Sequence, residues 1–148
     1  MQRLTKLLCV LPALLSPAVA WALEYRSVSV PKAILYDAPS AQAKKLFIVS
    51  QAYPVEVIVN LGEWIKVRDS RGELAWAEAK VLSAKRSVLV TASPAEVRES
   101  ADEASRLVFR AEKDVVLELI ESSANGWAKV RHRDGLTGFV QISKVWGL

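Results

Sequence analysis

Two pentapeptides place the same side chains at the same spacing: Trp64-Ile65-Lys66-Val67-Arg68 and Trp127-Ala128-Lys129-Val130-Arg131. In an extended strand successive side chains point to opposite faces. Each segment therefore turns Trp, Lys and Arg one way and the small or branched apolar pair the other. An outward tryptophan beside two cations can stack on a sugar or peptide and pair with a carboxylate or phosphate. The alternative is that each tryptophan closes a core or lies buried between two units, with Lys and Arg merely solvated.

Other reactive side chains are scarce. The chain has one histidine, His132, and one cysteine, Cys9, so a Cys/His zinc site and an internal disulfide are both excluded. No cofactor is expected. His132 sits in Arg131-His132-Arg133-Asp134-Gly135, where it reads as an exposed turn residue. Its two cationic neighbours should disfavour a charged imidazole. Paired carboxylates can perform acid–base chemistry, but Glu63, Glu73, Glu78 and Asp134 fall at predicted turns or strand edges. The residues point to binding, and the chain is not expected to be an enzyme.

The elements that carry these residues follow an export signal. Arg3 and Lys6 precede an apolar run from Leu7 to Leu15, a breaker at Pro17 and two A-x-A sites. Residues 1–22 are read as a signal peptide cut after Ala22, with the site after Ala20 in competition. The uncharged stretch is too short to span a bilayer and holds two prolines, so no stable membrane anchor is expected after cleavage. A lipid on Cys9 is not expected, since Leu8 stands where a small residue would be required. The protein is expected to be periplasmic. Lys and Arg number 20 against 16 Asp and Glu, a formal charge of +4. Without Arg3 and Lys6 the balance is 18 against 16, or +2, which makes nucleic acid an improbable partner.

The remainder is one unit written twice. Arg26–Val30 recurs as Arg86–Val90 at an offset of 60, and Trp64–Arg68 as Trp127–Arg131 at 63. Ala79–Leu82 is matched to Ser143–Trp146 at 64, the drift being assigned to single-residue loop insertions. Val55–Val59, Val115–Ile120 and the two pentapeptides read as strands. Asn60-Leu61-Gly62, Ser70-Arg71-Gly72, Asn125-Gly126 and Asp134-Gly135 read as turns. Ala38–Lys45 and Ser100–Arg106 have some helical propensity, but Pro39 and their place between strands favour long loops. The expected fold class is all-β: two tandem small antiparallel barrels, residues 23–83 and 84–148, sharing an interface.

The pattern Glu63-Trp64-Ile65-Lys66-Val67-Arg68…Gly72…Trp76-Ala77, repeated as Gly126-Trp127-Ala128-Lys129-Val130-Arg131…Gly135…Gly138-Phe139-Val140, resembles the bacterial SH3-like domain. The resemblance covers both units, and is closest to small exported Gram-negative proteins made of tandem SH3-like domains. Ile34-Leu35-Tyr36-Asp37 is similar to the start of eukaryotic SH3 domains, which places Tyr36 near the ligand-stacking Trp64. In unit two Arg98 replaces that tyrosine. The Pro and Tyr that grip polyproline helices in those domains are Gln141 and Lys144 here, and Glu78 and Lys80 in unit one, which argues against proline-rich recognition. The resemblance implies a non-catalytic binding module of the cell envelope, with peptidoglycan or its stem peptides as ligand. The alternatives are an adaptor docking on an envelope enzyme or assembly, and a small carboxylate hydrolase. Two barrels are expected to fill the mature chain, which argues against a catalytic domain. The ligand-binding residues expected are Tyr36, Trp64, Lys66 and Arg68, with Trp127, Lys129 and Arg131.

Overall fold

A computed structural model describes residues 22–122 and 125–148. The expected signal peptide, apart from Ala22, lies outside the described residues. The fold is all-β, built as two antiparallel barrels of the same topology. Unit one runs β1 (Tyr25–Val28), β2 (Lys32–Tyr36), β3 (Lys45–Ser50), β4 (Pro54–Asn60), β5 (Trp64–Arg68), β6 (Leu74–Glu78) and β7 (Leu82–Ser83). Unit two repeats it as β8 (Ser87–Val90), β9 (Ala95–Arg98), β10 (Leu107–Ala111), β11 (Val116–Ser122), β12 (Trp127–Arg131), β13 (Thr137–Gln141) and β14 (Val145–Trp146). The strand orders are β3-β2-β6-β5-β4-β1-β7 and β10-β9-β13-β12-β11-β8-β14. Residues 38–44 and 99–106 are the loops expected from Pro39 and position.

Period-2 alternation builds each core. Ile65 and Val67 are 0% and 1% exposed, and Ala128 and Val130 are both 0%, whereas the Trp and Lys between them are half-buried and each Arg is exposed. The inward residues pack on Leu35, Val55 and Ala77 in unit one, and on Val97, Leu117 and Val140 in unit two. The β5–β6 and β12–β13 hairpins close the same way. Asp69 and His132 accept from the amides of Gly72 and Gly135 through their carbonyls, at 3.0 and 2.9 Å. Those glycines have φ of +88° and +96°, a left-handed conformation that a side chain would strain.

The strand pairings correct the repeat register. Tyr25 and Ser87 hold equivalent places, opposite Glu56 and Glu118, so the offset is 62 from β1 through β4 and not 60. It becomes 63 at β5, where Glu56 faces Arg68 and Glu118 faces Arg131, and stays there: Leu82 and Val145 are equivalent. The single step is one extra residue between β11 and β12. A slip of two keeps every side chain on its own face, which is why the Arg-Ser-Val match misleads by two positions. The slip of one at the end moved Lys80 onto Lys144, whereas Lys80 corresponds to Ser143 and Lys144 to Val81.

The units meet along β1, β4, β8 and β14. In β8 all four residues are buried, because Val88 and Val90 face the core of unit two while Ser87 and Leu89 lie outside it, covered at the junction. Ser87 Oγ donates to the Ala52 carbonyl at 2.5 Å, and Ser27 Oγ to the Lys85 carbonyl at 2.7 Å. The rings of Tyr25 and Trp146 meet edge to face at 5.3 Å, with the Arg86 guanidinium 5.3 Å from the Tyr25 centroid. Burial, then the Glu56 carboxylate, pushes the Tyr25 phenol pKa up.

Candidate binding face

In unit one β5, β6 and β2 lie side by side, so their outward residues form one surface. The register sets Trp64 opposite Glu78, Lys66 opposite Trp76, and Trp76 opposite Tyr36. Tyr36 is 6% exposed and meets the half-buried Trp64 ring edge-on at 5.4 Å and 83°. Lys66 Nζ lies 5.9 Å from the Trp76 ring centroid. Glu78 accepts the Lys80 ammonium at 2.8 Å, and that hydrogen bond holds the Lys80 pKa above its ordinary value. Two indoles, a phenol and a half-buried ammonium thus share a surface that packing has already ordered. Such a surface can stack a planar or ring-shaped group and pair with a negative one. Arg68 sits at the end of β5 and pairs at 3.3 Å with the largely buried Glu56.

Unit two keeps the frame and changes the chemistry. Lys129 Nζ lies 5.9 Å from the Phe139 ring, as Lys66 does from Trp76. Arg98 takes the place of Tyr36, opposite Phe139. Its guanidinium bonds the Glu96 carboxylate and donates to the Ser105 carbonyl at 2.7 Å. Hydrogen bonds from Arg98 first, then Arg110, hold the Glu96 pKa below the usual carboxylate value. Trp127 is half-buried opposite Gln141, which donates to Glu103 at 2.6 Å. Arg131 leans to Glu118 at 3.6 Å, towards the junction between the units.

Of the expected residues, Tyr36, Trp64 and Lys66 share one surface, and Trp127 and Lys129 lie on its counterpart, whereas Arg68 and Arg131 turn from these faces to Glu56 and Glu118. Lys66 and Lys129 are half-buried against rings and not freely exposed. The tryptophan at the junction is Trp146, while Trp64 and Trp127 lie on the outward faces of their barrels. Trp76 and Phe139 complete the two surfaces and are not among the expected residues, although the alternation of Leu74–Glu78 turns Trp76 outward. His132 differs from expectation. It is only half-exposed, packs 5.7 Å from the Phe109 ring, and its Nδ1 lies 3.0 Å from Asp134, so a carboxylate joins the two neighbouring cations. The Leu136 amide, then His132, lowers the Asp134 pKa. Among the described residues no cluster of three His, Cys, Asp or Glu could hold a metal, and no helix is long and apolar enough to cross a membrane.

The fold is a small antiparallel β-barrel in duplicate, each copy carrying such a face. A family model described as "Bacterial SH3 domain" matches residues 29–84 and again 91–147, and the chain belongs to that family. The two matches are themselves offset by 62 and 63 residues at their ends, as the strand registers are. No curated protein matches the chain. Among solved structures, NlpC2 from Trichomonas vaginalis is 11% identical with a TM-score of 0.40, covering 86% of this chain and 49% of its own. NlpC1 from the same organism is 12% identical with a TM-score of 0.40, covering 94% and 51%. An NlpC/P60 family protein from Bacillus cereus is 16% identical with a TM-score of 0.39, covering 83% and 56%. The chain spans about half the length of these structures, and at this level of likeness their names say nothing of its activity.

Proposed function

We propose that the chain is an exported, non-catalytic binding module of the bacterial cell envelope, and that the face of unit one takes peptidoglycan or its stem peptides. The observation that carries this reading is the ordered face of Tyr36, Trp64, Trp76 and Lys66. Membership of the bacterial SH3 family and the duplication of the unit support it. Stacking contributes about 0.5–1.5 kcal/mol per aromatic contact beyond area burial. One face therefore binds modestly, and two units on one chain gain by avidity on a repeating polymer. Periplasmic delivery rests on the leader sequence. Sedimentation with purified peptidoglycan tests the reading: the protein should pellet with the polymer and stay in solution once the polymer is digested. Retention of an envelope protein after digestion, with no pelleting on peptidoglycan, would favour the adaptor reading instead. Incubation with cell-wall fragments should release no products.

A further inference from the structure

A second feature lies away from the aromatic face. The junction between the units is open on one side to a cleft of about 900 Å³, within the range of small-molecule sites. We propose that this cleft is an anion site, built to take a carboxylate- or phosphate-bearing ligand. The proposal does not rest on the function of the aromatic face.

The charges on its walls are unbalanced. Lys85, Arg86, Arg131 and Arg133 line the cleft with Glu118 as the lone carboxylate, a local charge of +3. Residues 22–148 carry 18 Lys and Arg against 16 Asp and Glu, a net of +2, so the cleft holds more positive charge than the chain's whole surplus. Glu118 is shared, 3.3 Å from Lys85 and 3.6 Å from Arg131. Neither Arg86 nor Arg133 has an ion-pair partner among the described residues. Four cations around one carboxylate repel each other in the free protein, and an entering anion relieves that repulsion. A concave wall of one sign also focuses the field on its ligand.

The site is held in shape before any ligand arrives. Arg86 donates to the Gly147 carbonyl at 2.7 Å and lies over the Tyr25 ring, while its Nε is buried with no hydrogen-bond partner. The connecting segment that carries Lys85 is tied to unit one by the Ser27 and Ser87 hydroxyls. Arg131 and Arg133 extend from the end of β12 and the turn after it. The cleft exists only because the two units are joined in this orientation, so a single barrel of the family would lack it.

The test is an amide-resolved NMR titration of the chain from Leu23 onward at low ionic strength. The probes are inorganic phosphate, N-acetyl-dialanine with a free carboxylate, and its C-terminal amide. Saturable shifts should centre on residues 83–87 and 131–133, for phosphate, the free acid or both, and not for the amide; the preferred probe identifies the source of the anion. Lys85→Glu with Arg133→Glu should weaken the interaction about tenfold, as expected for lost charge-assisted contacts. Lys44→Glu with Lys45→Glu, an equal charge change far from the cleft, should leave it within about twofold, the residue of long-range screening. Trp64→Ala should not alter it, which separates this site from the aromatic face. Diffuse unsaturable shifts, equal weakening by the control pair, or an amide that binds as well as the acid would each overturn the proposal.

Discussion

Replacing Gly138 by alanine tests how closely unit two closes on itself. Gly138 lies in β13 where that strand passes β9, and its counterpart in unit one is the buried Ala75. The unit-one strands accommodate that methyl group. In unit two a Cβ at Gly138 would stand 2.6 Å from the Arg98 carbonyl oxygen and 2.7 Å from Val97 Cγ1, well inside the 3.4 Å where ordinary contact begins. A backbone oxygen cannot swing aside, and Val97 is fully buried, so the strands must part. Overpacking of this kind costs about 1–3 kcal/mol. The lower chain entropy of alanine in a strand returns about 0.5–1 kcal/mol. The net loss is then about 0–2.5 kcal/mol. Urea unfolding followed by far-ultraviolet circular dichroism should show a lower midpoint at unchanged slope, with amide shifts at Arg98 and Phe139. A midpoint that rises, or one that stays with no amide shift at Arg98 and Phe139, would refute the close approach of β9 and β13.

Val67→Asp or Val130→Asp buries an unpaired charge, and the cost of several kcal/mol rivals a domain's stability of about 5–15 kcal/mol. Lys66→Asp or Lys129→Asp forfeits a ring contact of about 0.5–1 kcal/mol; equal damage at both pairs in thermal melts would reverse the two faces. Glu96 has its folded pKa lowered by Arg98 and Arg110, so its stabilisation is complete above its unfolded value and is lost as pH falls through the folded one. Glu96→Gln should therefore be less stable than the parent at neutral pH, with the gap closing in acid; a gap that widened in acid would refute the pairing. N-terminal sequencing of the exported protein should begin at Leu23, and an intact Met1 or a lipid on Cys9 would contradict the reading of the leader.

What the sequence reveals is what period 2 encodes. In β5 and β12 the inward residues are aliphatic and the outward ones charged or aromatic, so strand, face and neighbours follow directly. β3 and β10 escape because they show no clean alternation: Leu46, Phe47 and Val49 are all half-buried, and Ile48 is 71% exposed on the outermost strand. β8 is buried along its whole length because the first unit covers its outer face, and one strand cannot announce a neighbour far along the chain. The face of unit one was legible in part. Alternation gave Trp64 and Lys66, and the family resemblance brought in Tyr36. Trp76 joins them only through the β5–β6 register. The pairings of Arg68 with Glu56, and of Arg131 with Glu118, depend on a strand more than ten residues away, which spacing alone does not supply.

The central claim is that the outward tryptophans hold a polymer ligand. Trp64→Ala and Trp127→Ala, singly and together, should fold as the parent does by circular dichroism, since neither ring belongs to the buried cores. In sedimentation with purified peptidoglycan, Trp64→Ala should weaken binding more than Trp127→Ala, because Tyr36 and Trp76 accompany only the former. The double variant should stay in the supernatant. A folded double variant that pellets as well as the parent would contradict the account.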